Sequence, residues 1–212
     1  HIKAYVEKEL DNFKDRSARF RYLFGRLRRT VLAVVDDVAE ELSESDFVPL
    51  AFELSFGSGG DLPAVTITEG DTELRVTGKV DRVDGWLHDG KLYLRVVDYK
   101  TGRKSFDLSE IRYGIGIQML LYLFTLQREG KEHFGHEVVP AGVLYLPARE
   151  AMLSMDPSAT PQEVQNAISK ELRRSGLVLE APEVLHAMEH SALEEPRYLP
   201  LRVGKDGDIH GA

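Results

Sequence analysis

The hydrophobic pattern of the chain predicts two N-terminal helices followed by a series of strands. Apolar residues recur at intervals of three and four over residues 5–13 and 20–42, which is the spacing of amphipathic helices. Residues 48–56 have the pattern of a strand, which the run Gly57-Ser58-Gly59-Gly60 ends. Strand patterns over residues 64–68, 73–84 and 91–100, joined by short polar turns, predict a three-stranded meander.

The second half of the chain predicts helices around one further strand. Asp107-Leu108-Ser109-Glu110 resembles a capping box, so we expect a helix from there to about residue 129, ended by Gly130. Residues 138–146 have the pattern of an apolar strand, and residues 161–174 and 182–190 have the pattern of short helices. We expect an edge strand at residues 198–203 and a flexible tail at residues 204–208.

This order of helix, strands, helix and strand predicts an α/β fold in which helices cover a mixed sheet. We expect one domain. Its core, with the N-terminal helices, occupies residues 1–150, and a helical extension and tail packed on the same domain occupies residues 151–212.

Composition narrows the class of protein. The 212 residues include no cysteine, which excludes disulfides, thiolate metal sites and an iron-sulphur cluster held by this chain. No apolar run approaches the roughly 20 residues that cross a membrane, and no signal peptide is visible. We therefore expect a cytoplasmic protein that does not contact a membrane.

The formal net charge of -8 argues against DNA binding by bulk electrostatics, because lysine and arginine supply most non-specific affinity. Local clusters can override the total. One segment carries Arg16, Arg19, Arg21, Arg26, Arg28 and Arg29. Contact with DNA and contact with another part of a parent protein explain this cluster equally well. Arg103 and Lys104, which directly follow the strand at residues 91–100, favour DNA.

The most informative segment is a predicted hairpin around Asp89-Gly90, a dipeptide typical of a type I′ turn. If these are the two central turn residues, His88 pairs with Lys91. Counting back along both strands then places Asp81 directly opposite Asp98. Because side chains alternate along a strand, both acids lie on a face that is apolar near the turn.

Two carboxylates in direct opposition repel each other, and a divalent cation between them would remove that repulsion. Oxygen ligands suit Mg²⁺, for which Mn²⁺ can substitute, and such ions take one or two carboxylates and keep several waters. Lys100 lies on the same face, two residues after Asp98, where it can orient a water or stabilise a phosphoryl transition state. These groups are those of a metal-dependent phosphodiesterase.

An ordinary surface hairpin with solvated charges is the alternative, since charged strand ends are common. A bulge or a longer turn would also move Asp81 to the other face. Asp84 has a simpler explanation, because the same register places it opposite Arg95 as a cross-strand ion pair.

The motifs Gly-x-x-Asp, Asp-x-Lys and Gln118-x-x-x-Tyr122, on successive elements, resemble the RecB-type branch of the PD-(D/E)xK nuclease superfamily. Most of the chain is also similar to the C-terminal region of AddB subunits of bacterial AddAB helicase-nucleases. The similar segments, in order, are residues 19–22, 52–57, 78–84, 94–102, 118–123 and 140–145. The resemblance implies a restriction-endonuclease-like α/β core, with a mixed central sheet flanked by helices, that hydrolyses DNA with Mg²⁺.

The resemblance also implies further site residues. The backbone carbonyl of Tyr99 would join the two acids at the metal, Gln118 would support the metal shell, and Tyr122 would line the DNA groove. Glu53 points away from the apolar face of its strand by pattern, yet related nucleases often place a carboxylate there. The family has an upstream histidine ligand that only His1 could match, and its position also fits a tag remnant.

The chain departs from AddB subunits in having neither their cluster-binding cysteines nor a Gly-x-x-x-x-Gly-Lys-Ser/Thr phosphate loop. We therefore expect an excised exonuclease domain that is weak or inactive alone. By resemblance, its substrate is single-stranded DNA, and its partners are the AddA subunit and the helicase-like remainder of AddB. Two alternatives stay open: a non-catalytic docking or DNA-guiding module of that complex, and a standalone repair or CRISPR-associated exonuclease.

Overall fold

The computed structural model describes residues 2–102, 106–114 and 116–211. Three residues named above, His1, Arg103 and Lys104, lie outside these ranges. The helices are α1 (Ile2–Glu9), α2 (Ala18–Ser43), α3 (Leu108–Arg112), α4 (Gln118–Phe134), α5 (Pro161–Leu172) and α6 (Pro182–Met188). A short 3-10 helix, Asp11–Phe13, separates α1 from α2.

The strands form one central sheet and two small hairpins. They are β1 (Val48–Phe56), β2 (Val65–Glu69), β3 (Thr72–Val76), β4 (Gly78–His88), β5 (Lys91–Lys100), β6 (Glu137–Pro147), β7 (Ser175–Val178), β8 (Leu201–Val203) and β9 (Ile209–Gly211). The central sheet has the order β1-β4-β5-β6-β7. β5 and β6 are parallel, whereas the other neighbours are antiparallel. The predicted mixed sheet flanked by helices is therefore confirmed.

The β4–β5 hairpin has the predicted register. His88 pairs with Lys91 across the turn. Asp89 and Gly90 have φ values of 48° and 76°, the two positive angles that a type I′ turn requires. The turn therefore fixes which side chains of β4 and β5 share a face.

Each face of the central sheet packs against its own hydrophobic core. One core lies under α4 and includes Leu54, Val83, Leu94, Val96, Leu123 and Leu126. The other lies under α6 and the segment after it, and includes Phe47, Val97, Leu144, Leu185, Met188 and Leu199. Val34 and Val38 of α2 pack against the second core. The C-terminal part of the chain thus covers one face of the same sheet.

The helix predicted from Asp107 is interrupted, and its end was placed wrongly. Asp107 does cap α3, since its side chain accepts a hydrogen bond from Ser109 N at 2.8 Å. Gly114 and Gly116 then adopt φ values of 79° and 73°, and α4 starts only at Gln118. Gly130 lies inside α4, which continues to Phe134 and ends at Gly135 in the left-handed conformation.

The predicted meander is also wrong. Residues 73–84 do not form one strand, because β3 ends at Val76 and β4 begins at Gly78. β2 and β3 pair only with each other, and β4 pairs with β1 instead. The predicted edge strand at residues 198–203 begins at Leu201 and pairs with β9, so residues 204–208 form a hairpin turn where a flexible tail was expected.

Within the described ranges, the helices are too short or too polar to span a lipid bilayer.

Candidate active site

The carboxylate of Asp81 lies where β4 and β5 separate. The described ladder between the two strands ends at the pair of Arg82 with Val97, and the next pair in this register would be Asp81 with Asp98. Tyr99 N instead donates a hydrogen bond of 2.8 Å to Asp81 Oδ2. The side chain of Asp81 therefore takes the place of a strand carbonyl, which holds it beside the peptide that follows Asp98.

Asp98 and Lys100 lie in the last three residues of β5, where this strand still pairs with β6. Asp98 is level with Tyr145 in the parallel register. Lys100 Nζ forms an ion pair with Asp98 Oδ2. The ammonium also lies 5.5 Å from the centre of the Tyr145 ring, within the range of a cation–π contact. Asp98, Lys100 and Tyr145 thus form one group.

Burial and the charges of Asp98 and Lys100 determine the pKa of the Tyr145 phenol. The side chain is buried, with 6% of the residue exposed. Burial raises the pKa of Tyr145, the charge of Asp98 raises it further, and the charge of Lys100 opposes the rise. The phenol is therefore a neutral group close to both catalytic candidates.

Glu53 lies on β1 at the level of Asp81 on β4. Its backbone conformation is left-handed, with φ of 54°. The alternation of buried and exposed residues along β1 shifts by one residue at this position. Phe52 is accordingly 65% exposed whereas Leu54, two residues later on the same strand, is buried. Glu53 Oε2 forms an exposed ion pair with Lys79 Nζ at 3.1 Å. Its carboxylate is thus exposed, on the strand next to the one that carries Asp81.

Gln118 and Tyr122 contact each other and the start of β4. Gln118 Nε2 donates to Tyr122 Oη at 2.6 Å. The Tyr122 ring stacks on Phe56 with a centroid distance of 4.7 Å, and only 1% of the residue is exposed. Tyr122 therefore lies in the core and does not line an open groove, contrary to expectation. Its hydroxyl packs on Gly78, three residues before Asp81: a Cβ at Gly78 would lie 1.7 Å from it.

A divalent cation fits the donors at Asp81 and Asp98, although they do not form a complete cage. Asp98 Oδ2 is buried. It lies within ion-pair distance of Lys100 Nζ, but no described residue donates a well-aligned hydrogen bond to it. Within the described ranges, no three acidic or histidine side chains converge. Two carboxylates and the carbonyl of Tyr99 match Mg²⁺, which takes few protein ligands and keeps several waters.

A buried ionic network holds the hairpin from the opposite face. Asp84 Oδ2 accepts from Arg95 Nε at 2.9 Å and from Arg82 Nη2 at 3.0 Å, which confirms the predicted pair with Arg95. The sequence predicted only a cross-strand pair of Asp84 and Arg95. In the structure, both residues are completely buried. Glu41 of α2 completes it with an ion pair to Arg95 Nη2 at 3.1 Å. Arg82 also donates to Tyr99 Oη at 2.9 Å, so the network fixes the residue between Asp98 and Lys100.

The structure therefore brings Asp81, Asp98, Tyr99 and Lys100 together. Gln118 and Tyr122 approach the same end of β4 from α4. The position of His1 lies outside the described residues. Sequence reasoning did not name Tyr145 as a site residue. The only signal in the sequence was a tyrosine within an apolar strand. Which strand lies beside this one depends on the crossover through α3 and α4.

Comparisons with known proteins identify the family of the chain. The family model described as "PD-(D/E)XK nuclease superfamily" matches residues 1–197. The chain is 33% identical, over 215 residues, to the B-type subunit of the ATP-dependent helicase/deoxyribonuclease of Ruminiclostridium cellulolyticum, covering 99% of this chain and 19% of the relative. Identity to the proteins of the same name is 35% over 194 residues in Acetivibrio thermocellus and 36% over 195 residues in Pelotomaculum thermopropionicum. Each of these two alignments covers 91% of this chain and 17% of the relative.

The chain spans less than a fifth of the length of these curated relatives. The family match nevertheless includes every described strand of the central sheet and both acids of the site. By that match, the chain belongs to the PD-(D/E)XK nuclease superfamily.

Proposed function

We propose that the chain hydrolyses phosphodiester bonds in DNA with a divalent cation held by Asp81, Asp98 and the backbone carbonyl of Tyr99. The observation that carries the proposal is the position of Asp98: its buried Oδ2 faces Lys100, and the backbone N–H of the next residue, Tyr99, bonds the carboxylate of Asp81. When bound, Mg²⁺ or Mn²⁺ would polarise a phosphate oxygen and make a nearby water more acidic.

The side chains of the chain would supply the remaining functions. Tyr99 N holds one carboxylate oxygen of Asp81 in place before any substrate arrives. Lys100 would orient the attacking water and hold a proton near the developing charge once Asp98 engages the cation. Gln118 would support this arrangement from α4 through its contact with Tyr122, and Glu53 would supply a carboxylate from β1. His1 stays the proposed upstream ligand.

The substrate and partners are proposed from the names of the relatives, which denote one subunit of a helicase/deoxyribonuclease. The substrate would be single-stranded DNA delivered by a motor, and the partners would be an AddA-type subunit and the helicase-like remainder of the AddB-type protein. Residues 1–150 would form the nuclease core, and residues 151–212 an extension of the same domain. Packing of α6 against Val97 and Leu144, and pairing of β7 with β6 in the central sheet, support one domain for both parts.

Single-strand cleavage in Mn²⁺ tests the proposal on a 5′-labelled oligonucleotide. Lys100→Ala should lower the cleavage rate by roughly 100-fold or more, the usual size of a general acid–base contribution. Lys91→Ala is the matched control, because Lys91 lies at the other end of β5 and makes a surface ion pair with Glu137. The control should cleave like the wild type.

Calorimetric titration of Mn²⁺ adds an independent measurement. The wild type should bind Mn²⁺, and the double variant Asp81→Asn/Asp98→Asn should not. If neither protein binds Mn²⁺ and the wild type does not cut DNA, the chain is a non-catalytic docking module and the proposal is wrong.

A further inference from the structure

The N-terminal half of α2 is not buried against the central sheet. Of the 26 residues of α2, only Glu41, near its C-terminal end, is buried. The N-terminal half of α2 instead packs against the 3-10 helix through rings: Phe13 lies 5.1 Å from Phe24 and 6.2 Å from Phe20, centre to centre. This half of α2 is therefore free to contact a ligand along its length.

The same half of α2 carries a strong and uncompensated positive charge. Arg16, Arg19, Arg21, Arg26, Arg28 and Arg29 lie in or beside it. Among the residues that the structure describes, none of these arginines has an acidic partner. Like charges three and four residues apart on a helix repel one another, and Arg19 and Arg21 also lie in the first turn of α2, which favours anions. An anionic ligand would relieve this repulsion in a protein whose net charge is -8.

A cavity of about 220 Å³ lies between α1 and α2 within this basic region. Its lining includes the cations Lys3, Arg21 and Arg28, the rings of Phe13 and Phe24, and one acid, Glu7. Asn12 and Phe13 adopt φ values of 50° and 62°, an uncommon conformation for residues other than glycine. Such strained backbone often occurs at ligand sites. The cavity thus combines excess positive charge with aromatic surface.

The basic half of α2 begins close to the candidate active site. Thr30 Oγ1 donates to Glu150 Oε1 at 2.9 Å, and Ala148 N donates to Lys100 O at 2.8 Å. The segment after β6 therefore connects the middle of α2 to the strand that carries Lys100. From Thr30 back to Arg21 the helix rises about 14 Å at about 1.5 Å per residue. A single strand leaving the active site can reach the cavity within a few nucleotides.

We propose that this surface, formed by α1, the 3-10 helix and residues 18–29 of α2, is a second binding site for single-stranded DNA. Arg21, Arg28 and Lys3 contact phosphates, and Phe13 and Phe24 contact a base. An acidic protein surface would also satisfy the charge, but rings beside cations match a strand that presents both bases and phosphates. The inference rests on the proposed nuclease function and names the path of its substrate.

Fluorescence anisotropy with a labelled oligo(dT), in EDTA and over a series of salt concentrations, tests the phosphate contacts. Arg21→Gln/Arg28→Gln should weaken binding roughly tenfold near 0.1 M salt and reduce the salt slope by about 1.4. Lys170→Gln/Lys205→Gln removes the same charge from two exposed lysines elsewhere and should bind like the wild type. Equal affinity and slope in all three proteins would overturn the site.

An abasic oligonucleotide of the same length tests the base contact. Phe13→Leu/Phe24→Leu should weaken binding of oligo(dT) several-fold and leave binding of the abasic strand unchanged, with unchanged helical circular dichroism as the folding control. Equal weakening of both strands would rule out the base contact. Binding is measured in EDTA, so an error in the proposed binding site can be distinguished from an error in the proposed nuclease function. If the binding site is wrong, the variants bind DNA like the wild type. If the nuclease function is wrong, only Mn²⁺-dependent cleavage is absent.

Discussion

The backbone N–H of Tyr99 donates a hydrogen bond to the carboxylate of Asp81 across the open end of the β4–β5 hairpin, at 2.8 Å. The bond keeps an acidic side chain at a place where the strands have stopped pairing. It requires an acceptor oxygen but no negative charge. Structure and chemistry can therefore be separated at Asp81 by an isosteric substitution.

Asp81→Asn should retain the fold and lose activity. The amide oxygen can still accept from Tyr99 N, whereas the charge that would bind a cation is gone. We expect cleavage to fall roughly 100-fold or more and the melting temperature to stay close to that of the wild type. Asp89→Asn, in the turn of the same hairpin, is the control, since asparagine also suits its φ of 48°. A large loss of stability without loss of the cleavage rate would refute the assignment.

Tyr145 is expected to position Lys100 through its ring. Tyr145→Phe keeps the ring that lies 5.5 Å from the ammonium, so cleavage should stay near the wild-type rate. Tyr145→Leu keeps apolar volume but removes the cation–π contact, which is worth about 0.5–1 kcal/mol for an ammonium that is partly exposed, as Lys100 is. The value of kcat should fall by roughly 2- to 5-fold, with KM for DNA little changed. Equal loss in both variants would mean that the hydroxyl, not the ring, has the important role.

Features set by neighbouring residues could be predicted from the sequence. The two-residue turn at Asp89-Gly90 fixes the β4–β5 register, and alternation along both strands then places Asp81 near Asp98 and Asp84 beside Arg95. These relationships depend on local geometry alone. The acid pair and the buried ion pair could thus be assigned to opposite faces without any knowledge of the fold.

Features that depend on distant segments could not be predicted in the same way. The burial of Asp84 and Arg95 depends on Glu41, which in turn bonds Arg174 from 133 residues away. Tyr145 reaches Asp98 only because β6 returns parallel to β5 after two helices. A pattern within one strand carries no information about which strand lies beside it.

Gly78 is predicted to be intolerant of any side chain. A Cβ there would lie 1.7 Å from Tyr122 Oη and 2.9 Å from Tyr122 Cζ, so Gly78→Ala must displace the ring from its stack on Phe56. Overpacking of this kind typically costs about 1–3 kcal/mol. We expect a lower free energy of unfolding in urea titrations, together with slower cleavage because Gln118 loses its partner.

Removal of the Tyr122 hydroxyl should rescue part of this loss. In Gly78→Ala/Tyr122→Phe the closest atom is gone, so the double variant should be more stable than Gly78→Ala alone. Gly25→Ala is the control, because its Cβ would meet only Arg29 Nη1 at 3.9 Å and alanine favours a helix. If the two substitutions are simply additive, the contact between Gly78 and Tyr122 does not determine the cost.

Glu41 connects α2 to the hairpin and gives the fold a dependence on acid. Its carboxylate lies between Arg95 Nη2 at 3.1 Å and Arg174 Nη2 at 2.8 Å, and 1% of the residue is exposed. Burial alone would raise the pKa of Glu41, but the charges of Arg95, Arg174 and Arg82 outweigh it and lower the pKa below the ordinary value of 4.5. The folded state thus holds this proton more weakly than the unfolded state does.

The stability that Glu41 contributes should therefore disappear in acid. It is fully present above about pH 4.5, because the unfolded carboxyl is ionised there as well. It is lost as the pH falls from that value towards the lowered folded pKa. Glu41→Gln should lower the free energy of unfolding at pH 7 by about 1.5–3 kcal/mol, since Arg95 and Arg174 each lose one of two acidic partners and keep Asp84 and Asp37, and should flatten the acid limb of the stability curve. Glu40→Gln, which removes a surface pair with Arg197, should cost about 1 kcal/mol or less in urea titrations at each pH. An unchanged acid limb in Glu41→Gln would show that another carboxylate controls the acid unfolding.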